Sequence, residues 1–145
     1  MSPNHRHKAD PSHDGQDLPS LLSKVGPPMV EGLAKGILPW YIMHLLEEHP
    51  LYGYEIIRHI GEMTKGTWKP SPGSVYPVLH NFEKEELIVG DWERGKAAPK
   101  RRYRLTDKGK AVVPLMQREL VERLSHAKHL IEHHIEFLSQ GLNDE

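Results

Sequence analysis

The chain has 145 residues, and 37% of them are hydrophobic against 27% charged, which supports one packed domain with an extension rather than two cores. With no cysteine, a disulfide framework, an all-thiolate zinc site and a cysteine nucleophile are excluded. The formal net charge of −1 gives, by itself, no sign of a nucleic-acid partner.

Residues 1–30 hold five prolines and few apolar residues before Leu18. This composition predicts a flexible extension, with residues 1–17 unable to offset chain entropy by burial. Leu18–Val25 reads as a short docking helix. His5, His7 and His13 offer metal ligands, but a polar tail is the preferred reading. The start lacks an apolar segment of the secretory kind, and the apolar run Ile37–Leu46 is too short for a membrane span, so the expected compartment is the cytoplasm.

Order is expected from about Gly36. Leu38, Tyr41, Ile42, Leu45 and Leu46 form one helical stripe, with Pro39 in the first turn and His49-Pro50 as the stop. Gly53 opens a second helix with Ile56, Ile57, Ile60 and Met63 inward and Gly66 as its end. A turn-rich Lys69–Ser74 leads into a third helix whose apolar face is Val75, Val78, Leu79 and Phe82. Ser74 as N-cap would place Pro77 in the first turn, where it loses no hydrogen bond.

After Leu87 the period changes. Ile88–Trp92 and Arg101–Leu105 read as two strands of a hairpin around a polar loop, Glu93–Pro99. Thr106-Asp107 marks a helix start. The final helix keeps one stripe through Val113, Met116, Leu120, Leu124, Ala127, Ile131, Ile135 and Leu138, roughly 40 Å at 1.5 Å per residue, with Pro114 as a kink or fresh start.

The fold class predicted is mainly α with a small β-hairpin: a winged helix-turn-helix over residues 31–106 and a long C-terminal dimerisation helix over 107–145. In this architecture the third helix can enter a major groove and the hairpin, or wing, reaches the backbone or minor groove. Segments 1–93, 94–110 and 111–145 carry −5, +7 and −3, so the positive charge is concentrated on the hairpin. A solvated face is the bland alternative for such a run. The candidate DNA-binding residues are Lys69, Ser71, Ser74, Tyr76, His80, Lys84, Lys96, Lys100, Arg101 and Arg102, with Tyr76 equally suited to the core. Hydroxyls and lysines near a helix N-terminus suit phosphate oxygens. No arginine occupies the third helix, so shape, water and the wing would carry specificity.

The long stripe exceeds what a domain of this size covers, which predicts a homodimer through Leu120, Leu124, Ala127, Ile131, Ile135 and Leu138. His126, His129, His133 and His134 lie on the same helix, with His129 and His133 at a metal-ligating i, i+4 spacing beside Glu132 and Glu136. A solvated polar face is the preferred reading, and a metal-responsive sensor or a protein–protein module on the same fold remains a rival. No HExxH string, phosphate-binding glycine loop or nucleophile elbow occurs, so neither an enzyme nor a cofactor is expected.

Leu51–Ile56, Ser71–His80, Glu83–Ile88, Trp92, Pro99–Thr106 and Gly109 together resemble the PadR family of transcriptional regulators over about residues 33–113. The resemblance implies a winged-helix repressor that dimerises through C-terminal helices, in the short-tailed subgroup. It carries Ser74, Tyr76 and His80 onto the recognition helix, and Lys100, Arg101 and Arg102 onto the basic wing strand. It also implies a small aromatic or drug-like effector near the dimer interface, where Trp40 is a candidate lining residue, though core packing suits an aromatic on an apolar face. Glu86 departs from the glycine usual at its position, and the 30-residue front extension is longer than the pattern.

Overall fold

The computed structural model describes residues 29–95 and 98–143, with backbone alone at 29–30. The extension's expected docking helix, its histidines and Lys96 lie outside the described residues. The elements are α1 (Met29–Glu48), β1 (Leu51–Tyr52), α2 (Gly53–Met63), α3 (Pro72–Lys84), β2 (Ile88–Glu93), β3 (Lys100–Leu105) and α4 (Asp107–Asn143). The expected hairpin is the larger part of a three-stranded antiparallel sheet ordered β1-β3-β2. The extra strand is two residues long, too short to show any period, and pairs Leu51 with Tyr103 and Tyr52 with Arg102.

One core joins every element. Leu38, Ile42, Met43 and Leu46 of α1 meet Ile56, Ile57 and Ile60 of α2, Val75 and Leu79 of α3, Leu51, Ile88, Tyr103 and Leu105 of the sheet, and Val113 of α4. Each such aliphatic side chain contributes about 1.5–3 kcal/mol by leaving water. Met63 departs from expectation and stays exposed at the open end of α2.

Pro39 and Pro77 sit differently from the sequence reading. Helix α1 starts at Met29, so Pro39 lies inside it rather than in its first turn. Helix α3 is capped by Ser71, whose Oγ accepts the Ser74 N–H at 3.2 Å, and Pro72 takes the first helical position. Pro77 is therefore interior, and the Gly73 carbonyl loses its helical donor. Helix α4 runs through Pro114 as a single segment of 37 residues, about 55 Å long.

Two left-handed turns end the helices α2 and α3. Lys65 and Gly66, at φ 53° and 74°, close α2, with the Gly66 N–H on the Gly61 carbonyl at 2.8 Å. Glu86, at φ 60°, closes α3 the same way: the Leu87 N–H reaches the Phe82 carbonyl at 2.9 Å. The tight helix-to-strand turn thus forms without the usual glycine, at the strain of a side chain in the left-handed region.

Candidate nucleic-acid interface

Helix α3 buries Val75 and Leu79, with Val78 and Phe82 partly covered, and turns His80, Asn81 and Lys84 outward. Lys69, Ser71, Tyr76, His80 and Lys84 are all exposed, and Ser74 is half-buried. The Ser71 and Ser74 hydroxyls lie 3.1 Å apart at the positive end of the helix. Tyr76 is both candidate and packing residue: its ring covers Gly53, where a Cβ would fall 2.5 Å from its Oη, yet much of it faces water.

The wing separates its charges by face. In the antiparallel register Ile88 opposes Leu105 and Gly90 opposes Tyr103 on the core face, while Trp92, which opposes Arg101 on the same face, lies beyond the core and is 64% exposed. Val89, Asp91 and Glu93 oppose Arg104, Arg102 and Lys100 on the outer face. There Arg104 pairs with Asp91 at 2.8 Å and Arg102 with Glu93 at 3.2 Å. The Tyr52 hydroxyl accepts from Arg102 at 3.0 Å and donates to Glu93. That carboxylate acceptor pushes the Tyr52 phenol above its ordinary range.

Arg101 turns inward. It pairs with Glu83 of α3, donates to the Gly90 carbonyl at 3.1 Å and lies over the rings of Trp92 and Tyr103 at 5.2 and 5.3 Å. Among the described candidates Arg101 and Arg102 are thus both ion-paired within the protein, and Arg101 is the more enclosed of the two. Lys108 donates to the Glu85 carbonyl at 2.9 Å, at the C-terminal end of α3. The seven net positive charges of segment 94–110 are therefore unequally available. Among the described residues, Arg94 and Lys100 at the wing tip have no carboxylate partner. Lys100 instead holds its amine 5.6 and 5.7 Å from the Tyr52 and Tyr54 rings.

Tyr76 of α3 and Lys100 of the wing line one cleft of about 440 Å³, together with Tyr52, Tyr54, Trp92 and Tyr103. Sequence reasoning missed Tyr52, Tyr54 and Trp92 as part of this surface. It also missed Glu83, Asp91 and Glu93 as internal counter-charges. The signal for Asp91 and Glu93 was present: they stand two apart in the strand, as Arg102 and Arg104 opposite do, whereas Glu83 on α3 gave none.

On α4, Leu120, Leu124 and Ala127 are half-buried, while Ile131, Ile135 and Leu138 are exposed. Every residue from Lys128 to Asn143 is exposed. Trp40 lies at the α1–α4 junction, stacked on His44 at 4.7 Å, and it lines a cleft of about 90 Å³ with Pro39, Met116 and Leu120. Among the described residues its buried indole Nε1 has no acceptor. Among the described residues no three metal-ligating side chains converge, so the α4 histidines do not form a cage within one chain. No described helix is long and apolar enough to cross a membrane.

Residues 42–114 match the family described as transcriptional regulator PadR-like. The transcriptional regulator YqjI of Escherichia coli (strain K12) is 35% identical over 74 residues, which cover 51% of this chain and 34% of that protein. The match thus spans about a third of that relative's length. The crystal structure of a PadR-like transcription factor from Bacteroides fragilis is similar with a TM-score of 0.56 at 26% identity, covering 69% of this chain and 95% of that one. A PadR family regulator from Eggerthella lenta shares the fold with a TM-score of 0.64 at 23% identity, covering 79% and 96%.

Proposed function

The chain belongs to the transcriptional regulator PadR-like family, and from that premise we propose that it is a homodimeric, sequence-specific DNA-binding repressor released by a small-molecule effector. Members of this family are transcriptional regulators, not enzymes. The observation that carries the DNA reading is the shared cleft: Tyr76 of α3 and Lys100 of the wing lie on one surface, so a groove-bound helix and a backbone-bound wing tip would engage the same duplex. Ser71, Ser74, His80, Lys84 and Lys69 supply the helix contacts, and Arg94 and Lys100 with Lys96 supply the wing contacts. Arg102 reaches phosphate only by exchanging Glu93. The partner being chromosomal DNA, the working compartment is the cytoplasm.

The dimer reading rests on the uncovered half of α4, whose Ile131, Ile135, Leu138 and Leu142 are too apolar to remain in water over some 24 Å. The effector reading rests on Trp40, whose unsatisfied N–H and flat face lie beside the helix that would dimerise. A mobility-shift assay with the protein's own upstream DNA tests the central reading. A shift that weakens steeply with salt is expected. No shift at low salt from a folded dimer rejects it.

A further inference from the structure

We propose that Arg101 is a positioning residue, which with Glu83 and Gly90 locks the wing to the recognition helix so that both reach DNA at one fixed angle. This rests on the DNA-binding reading above and assigns Arg101 a role other than phosphate contact. Glu83 is the carboxylate on α3 that meets the wing, and Arg101 is its partner on β3, with side chains 23% and 28% exposed. The guanidinium holds three elements at once: α3 through Glu83, β2 through the Gly90 carbonyl, and β3 through its own backbone. Trp92 and Tyr103 stack against it.

Gly90 completes the device. A Cβ there would fall 2.5 Å from the guanidinium nitrogen and 2.7 Å from its carbon. Its backbone is not in the left-handed region, so the strand itself does not require glycine. The requirement comes from the arginine, which needs the space above the strand. A methyl group at position 90 would therefore expel the clamp while leaving every charge in place. Solvent-exposed ion pairs contribute little, but this one is half-enclosed and joins two elements that a duplex would read together.

The test compares Glu83→Gln, Arg101→Gln and Gly90→Ala in the full chain. Each should weaken binding to the upstream DNA by roughly tenfold, as coupling through a packed network does, with the slope of log affinity against log salt unchanged. In the free protein each should speed amide exchange in β2 and β3 while exchange in α1 stays slow. Gly90→Ala guards against a charge variant that fails to fold. If Arg101→Gln lowers the salt slope by about one, Arg101 touches phosphate and the proposal is wrong. Wild-type wing exchange in Glu83→Gln and Gly90→Ala also overturns it. Wild-type protein that shifts no DNA rejects the binding reading instead, and the exchange rates still decide the clamp.

Discussion

The Thr106 hydroxyl donates to the Glu86 carbonyl at 2.6 Å and accepts the Gly109 N–H at 3.0 Å. One side chain thus caps the long helix and ties its start to the turn that ends α3. The Thr106 N–H adds a bond to the Leu87 carbonyl at 3.1 Å. The direction of α4, and with it the placement of any second copy, is set where the winged-helix unit ends.

Relief of the strained turn should stabilise the protein. Glu86→Gly places the residue that tolerates φ 60° without a Cβ clash. Urea denaturation should show a gain of about 0.5–1 kcal/mol. A loss would mean that the Glu86 side chain makes a stabilising contact greater than its strain.

The joint itself should be intolerant. A Cβ on Gly109 would collide with the Leu87 carbonyl oxygen and crowd Leu105. Because the obstacle is backbone, Gly109→Ala should cost about 3 kcal/mol. Thr106→Val, which removes the cap, should cost about 1 kcal/mol. Thermal unfolding of the two variants separates these effects.

The unequal availability of the wing charges predicts unequal salt effects. Arg94→Ala and Lys100→Ala should each lower the slope of log affinity against log salt by about 0.9. Arg104→Ala should lower it less, since Asp91 already neutralises that guanidinium. Asp91→Asn should strengthen binding. Equal slopes for all three basic variants would show that the outer ion pairs open freely on DNA.

Burial pushes the Tyr103 phenol above its ordinary range. The folded protein then holds this proton more tightly than the unfolded chain does. Its contribution to stability is whole below about pH 10, the unfolded value, and is lost as pH rises through the elevated folded value. Tyr103→Phe should flatten this alkaline decline, as followed by urea midpoints between neutral and strongly alkaline pH.

Charge on the α4 stripe tests the dimer. Ile131→Glu with Ile135→Glu should shift sedimentation from dimer to monomer, each isoleucine supplying about 2 kcal/mol of burial in the paired state. Helical content should fall as well, since among the described residues the projecting half of α4 has no partner.

Much of the fold was legible. Periods of 3.6 marked α2 and α3, the change to alternation at Ile88 marked the wing, and Thr106-Asp107 marked the start of α4. Ser71 was missed as the cap because Ser74 also precedes an apolar run, and the Pro72 that follows Ser71 was the better guide. The candidate site was legible on α3, where facing follows from spacing. It was less so on the wing, because net charge over a segment says nothing about cross-strand partners. Arg101 and Arg102 are adjacent in sequence and opposite in facing, and the pleat decides which of them is enclosed.

The two-residue strand β1 has a kinetic meaning. Tyr52 and Arg102, which it brings side by side, are 50 residues apart in the chain. A hairpin of β2 and β3 can close early over a short loop, but the third strand waits until α2, α3 and the turn between them have brought the chain back. The pairing stitches β1, α2, α3 and the hairpin into a closed ring, so β3 stays joined to the helix-turn-helix even where the outer hairpin opens locally. A wing that detached alone would have to break the strand that leads into α2.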